Sequence, residues 1–209
     1  MRAKYWLLDG CKMSLMFLFG AVIFTVMMTL QGSSETFGDY LTEFTSFYVF
    51  FGALMQTILL QTSFKLQMPL AISMGCTRKE AHLGYHLYRL SFLTVALCIY
   101  SILSHLPGNA MKLSILLVLG FYLILGAVGS GLGMIAIKLG RKAMIVFFVV
   151  FGLLCGILGG LIGVGAAVAM GNSQSHGPMP VLVLALGVLC HLLVTIPERK
   201  TISTLVVKL

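Results

Sequence analysis

His82 and His86 stand four residues apart, the spacing that sets two imidazoles on one face of a helix, where a transition-metal ion can bridge them. No third ligand is evident in the sequence, so the pair is read as lying at the inner membrane interface and not as a metal site. The cysteines at 11, 76, 98, 155 and 190 form no C-x-x-C pair and fall mostly inside apolar stretches. They indicate neither a disulfide framework nor a zinc ribbon, and read as small packing residues. A phosphate-binding loop of the form G-x-x-x-x-G-K-[ST] does not occur. The densest candidate, Gly126, Gly129, Gly131 and Gly133, sits in an apolar run and lacks the lysine that would reach a phosphate. The chain is therefore not expected to hydrolyse ATP.

Two glutamines, Gln56 and Gln61, are the most polar side chains of their apolar run and are candidates for bonding neighbouring helices. Gly152, Gly156, Gly159, Gly160 and Gly163 recur at small-xxx-small spacing further on, which favours close helix packing and, second, bending at residues 159–160.

The elements that must position these residues are membrane helices. Of 209 residues, 59% are hydrophobic and 10% charged, with a mean hydropathy of +1.03, which excludes an ordinary water-soluble domain. The net charge of +8 sits in small clusters at the ends of apolar runs, which argues against nucleic acid as a partner and for lipid. Six runs approach the roughly 20 residues that a bilayer core requires: 13–30, 47–64, 87–103, 113–137, 143–170 and 181–196. The first follows Arg2, Lys4 and Lys12 but is too long for a signal-peptide core and is read as a retained helix. Residues 1–12, with Tyr5 and Trp6 among basic residues, read as an interfacial elbow segment. Every Lys and Arg except Lys112 falls on one side of the six-span scheme: Arg89 joins Lys65, Arg78 and Lys79 around the second-to-third connection, and Arg199, Lys200 and Lys208 end the chain. The positive-inside rule then puts both termini in the cytoplasm and leaves 198–209 as a cytoplasmic tail. On this reading no Asp or Glu lies within a span, so coupling to protons or sodium is not expected.

One connection has a built appearance. Over residues 69–80 the chain reads PLAISMGCTRKE. Pro69 suits a helix's first turn and Gly75 the position just past its end, while Thr77 and Glu80 have the spacing of a capping box that starts the next helix at Arg78. Leu70, Ile72 and Met74 would then stand beside Arg78 and Lys79, a short amphipathic element suited to a partner's groove.

At this stretch the chain resembles the ABC-2 type permeases, the membrane halves of ATP-binding-cassette exporters, and most nearly the small permeases of Gram-positive exporters that expel amphipathic peptides of the phenol-soluble modulin type. The resemblance implies six transmembrane helices, a cell-membrane location, a second permease copy in a homodimer, and two ATPase subunits docked on a coupling element at Pro69, Leu70, Ile72, Met74, Gly75, Thr77, Arg78, Lys79 and Glu80. It further implies that Gln56 and Gln61 face the substrate path. The chain departs from the family pattern between its last two spans, where only 171–180 is polar and no separate external helix is evident. A weaker resemblance, to rhomboid-type intramembrane proteases, rests on Ser130 and His191, each eight positions before a basic residue, Lys138 and Arg199. That pattern requires glycine where Val128 stands.

Overall fold

The computed structural model describes residues 2–29, 36–140, 145, 149, 152–153 and 179–204. Among the described residues the chain is helical and has no strand. The elements are α1 (Arg2–Thr29), α2 (Phe37–Thr62), a π-helical turn (Ser63–Gln67), α3 (Met68–Ser73), α4 (Arg78–His105), α5 (Ile115–Leu139) and α6 (Met179–Ser203). Among the described residues five stretches are long and apolar enough to cross a membrane, one of them the unbroken 37-residue run Phe37–Ser73. Helices meet the demand of such sequences because they satisfy every backbone N–H and C=O within the segment. The remaining expected span, 143–170, lies outside the described residues except at 145, 149, 152 and 153, and with it Gly156, Gly159, Gly160 and Gly163. Gly152 is exposed and meets nothing among the described residues.

The helices extend beyond the apolar runs. Residues 1–12 do not turn aside as an elbow: α1 is continuous from Arg2, and Trp6, expected as an interfacial anchor, is buried. The cause lies on α4, where Gly84 leaves a notch that the indole fills and where Gly10 of α1 lies against Ser91 and the Tyr88 carbonyl. At the other end, α2 begins at Phe37 and takes in Asp39 and Glu43, which the sequence reading left in a loop. Thr36 caps it: the Thr36 hydroxyl accepts from the Asp39 amide at 3.3 Å, and the Asp39 carboxylate accepts from the Thr36 amide at 3.2 Å. A carboxylate in the first turn also complements the helix dipole.

Two apolar cores run along the bundle. One joins Val49, Ala53, Phe92, Ala96, Tyr122 and Leu125 between α2, α4 and α5. The other joins Trp6, Phe64, Met68, Tyr85, Tyr88 and Ile202 nearer the α3 end. Small residues set the helix spacing, as membrane packing requires. A methyl at Gly129 would meet the Thr57 backbone of α2, and Gly120 and Gly187 bring the backbones of α5 and α6 together.

Candidate functional site

The connection between α2 and α4 is closed by its own hydrogen bonds. The π turn hands α2 on to α3 with Phe64 and Met68 fully buried, so the short helix is seated on the bundle by its first turn. Pro69 stands where the π turn passes into α3. At the far end the Gly75 amide donates to the Ile72 carbonyl and the Cys76 amide to the Ala71 carbonyl, both at 3.0 Å. This is a Schellman closure, and Gly75 adopts the left-handed φ of +87° that it requires. Thr77 then caps α4: its hydroxyl accepts from the Glu80 amide at 3.2 Å, and the Glu80 carboxylate accepts from the Thr77 amide at 2.9 Å. The expected helix, turn and capping box are all formed.

Leu70, Ile72 and Met74, at and just past the end of α3, do not share a face. Leu70 and Met74 point outward, 59% and 75% exposed, whereas Ile72 packs on the second core. Two positions along a helix turn the side chain through about 200°, so an i, i+2 pair cannot face one way. The outward surface is therefore Leu70, Met74, Arg78, Lys79 and Glu80, all exposed.

Directly beneath this turn a polar cluster joins α4, α5 and α6. His82, Tyr85, His86 and Arg89 follow one another along one face of α4, and His191 and Glu198 lie seven residues apart on one face of α6. The His82 and His86 Nε2 atoms are 3.0 Å apart, and His86 Nε2 lies 3.8 Å from Glu198 Oε2. The His86 and His191 ring centroids are 6.2 Å apart. The Tyr85 and Ser130 hydroxyls bond at 2.6 Å. Arg89 donates through Nη2 to the Leu123 carbonyl at 3.3 Å, in space that Gly126 leaves open, and its charge acts on Glu198 and Tyr85. Arg89 Nη1, both Glu198 oxygens and His191 Nδ1 are buried without a hydrogen-bond partner among the described residues.

This cluster corrects two sequence expectations. Arg89, counted among the charges around the second-to-third connection, is a buried residue, 4% exposed, three turns into α4. Glu198 is not in a tail: α6 continues through Pro197 to Ser203, and Glu198 is fully buried. Proline and three charges in a row looked like the end of a span, but proline is tolerated inside membrane helices where neighbours supply packing and polar partners. Glu198 also stands beside the histidine pair, brought from more than a hundred residues away by the packing of α6 on α5 and α4.

Gln56 is 1% exposed and enclosed in the chain's own packing, its Oε1 without a partner among the described residues. Gln61 is partly exposed, and five residues of helix turn it well away from Gln56. The Ser130 hydroxyl is engaged by Tyr85, not by His191, so the nucleophile–base hydrogen bond of a serine protease is not formed. No family model, curated protein or solved structure matches the chain.

Proposed function

We propose that the chain is the membrane-spanning permease subunit of an ABC exporter, multi-pass in the cell membrane with both termini cytoplasmic. The observation that carries the reading is the self-closed unit at residues 63–80: a turn fastened by a Schellman closure and a capping box, mounted on the unbroken run Phe37–Ser73, with Leu70, Met74, Arg78 and Lys79 outward. Such closure gives the exposed side chains the fixed arrangement that a docking element needs. Rigid helices convert a push at such a unit into a tilt of the spans behind it. Two copies of the chain would enclose the path, and two ATPase subunits, holding ATP and magnesium, would grip the two units. An amphipathic peptide or lipid-like cargo fits walls that are mostly apolar.

The test is assembly and coupling. Replacing Arg78 and Lys79 together by Glu should abolish co-purification of an ATPase from native membranes and remove cargo-stimulated ATP hydrolysis in nanodiscs. Unchanged transport in that variant sinks the reading.

A second reading draws on the buried Arg89 and Glu198, since ionisable groups inside a bundle mark ion pathways in carriers. It requires the purified chain alone to move cargo in liposomes under an ion gradient. Glu198→Gln would then stop transport without any ATPase present.

A further inference from the structure

One ring nitrogen each of His82 and His86 and a carboxylate oxygen of Glu198 all lie within 4.8 Å of one another. Zinc holds nitrogen and oxygen ligands at about 2.0–2.2 Å, which sets neighbouring ligands of a tetrahedral ion roughly 3.2–3.6 Å apart. The observed separations, 3.0 Å between the imidazoles and 3.8 Å from His86 to Glu198, bracket that range. The i, i+4 pair on α4 provides two ligands from one rigid helix, and α6 provides the third.

A second, independent observation points to a ligand. Glu198 is wholly buried, and neither of its oxygens makes a close hydrogen bond among the described residues; the one donor near it, the Ser130 hydroxyl, is shared with Tyr85. An ionised carboxylate removed from water demands a cation or several donors. Arg89 acts on this carboxylate through space but makes no direct ion pair with it among the described residues. The direct approach comes from the His86 nitrogen, which faces His82 as well. A cation between the three atoms satisfies all of them together.

We infer that His82, His86 and Glu198 bind one divalent transition-metal ion, zinc foremost, with the fourth position left to water. Imidazole with carboxylate suits zinc and its first-row neighbours, while the absence of further oxygen ligands disfavours calcium and magnesium. The ion clasps the last turns of α6, beyond Pro197, to the first turns of α4. It thereby braces the base of the turn that carries Arg78 and Lys79. The inference rests on these side chains and is independent of the exporter reading.

The experiment uses the full chain in lipid nanodiscs, stripped with EDTA, titrated with zinc alone by calorimetry and assayed for retained metal after dialysis. One zinc per chain is expected, with a higher melting temperature in its presence. Cobalt in place of zinc should give the visible absorption of a four-coordinate site. Changes beside a metal site weaken binding by about 10- to 100-fold, so loss of a direct ligand in Glu198→Gln or His86→Ala should exceed that. His82→Asn, at a half-exposed position, keeps the test valid if the buried variants do not fold. His105→Ala, at the other end of α4, should bind as the wild type does. Failure to retain zinc, or unchanged affinity in His82→Asn and Glu198→Gln, overturns the inference.

Discussion

The indole of Trp6 fills the space that a side chain on Gly84 would need, so that α1 and α4 meet through the absence of a single carbon. Trp6 is 4% exposed and is the chain's only tryptophan, which makes this contact directly observable. Gly84→Val should expel the ring and cost about 1–3 kcal/mol, the range of overpacked cores. Tryptophan emission should shift to the red and iodide quenching should rise. Gly20→Val, where a side chain meets nothing within 4 Å, should leave both unchanged.

The Tyr85–Ser130 hydrogen bond, 2.6 Å long and fully buried, ties α4 to α5 beside the polar cluster. Ser130→Ala leaves the phenol only a 3.5 Å contact with the Leu60 carbonyl and should cost about 1–3 kcal/mol, the penalty for a poorly satisfied buried group. Adding Tyr85→Phe removes the stranded hydroxyl, so the double variant should lose less than the two single losses combined. Thermal unfolding of the four proteins measures the coupling. A serine protease would instead require Ser130→Ala to abolish cleavage of a membrane substrate with no such compensation.

How much of this was legible beforehand follows from where the information lies. The α3 turn was readable to the residue because Pro69, Gly75, Thr77 and Glu80 act on their own backbone neighbours, and local rules determine local bonds. Trp6 was misread as an interfacial anchor because its environment is set by Gly84, which nothing near residue 6 announces. Arg89 and Glu198 were missed for a related reason. Each stands at the edge of an apolar run, where a charge normally means a boundary, and only the packing of α6 against α4 and α5 turns both edges into interior. Several helix ends, such as the starts of α1 and α2 and the end of α6, lie beyond the apolar runs, since hydropathy marks where lipid contact stops and not where backbone hydrogen bonding stops.

Asn109 is the polar knot of the connection between α4 and α5. Its side-chain amide donates to Thr45 Oγ1 at 2.8 Å and to the Leu103 carbonyl at 2.9 Å, while its Oδ1 accepts from the Met111 amide at 2.8 Å. It is 4% exposed, so no water replaces these partners directly. Asn109→Ala should cost about 1–3 kcal/mol through the groups it strands. The loss should appear as a lower melting temperature and faster amide exchange at Met111, with α3 and its turn unaffected.

The turn at Gly75 separates backbone geometry from side-chain contact. No atom lies within 4 Å of where its Cβ would stand, so a substitution there meets only the strain of φ +87°. That strain is about 1–2 kcal/mol for a residue with a side chain, and asparagine relieves part of it by bonding locally. Gly75→Val should therefore open the Schellman closure and speed exchange at the Gly75 and Cys76 amides. Gly75→Asn should stay close to wild type. Because the turn is exposed, neither change should lower the melting temperature of the bundle by more than a few degrees. If residues 69–80 transmit force from an ATPase, stimulated ATP hydrolysis should follow the exchange rates, falling in Gly75→Val and recovering in Gly75→Asn. Equal activity in both variants, with exchange nonetheless altered, would mean that the closed geometry of this turn serves only to connect α3 to α4.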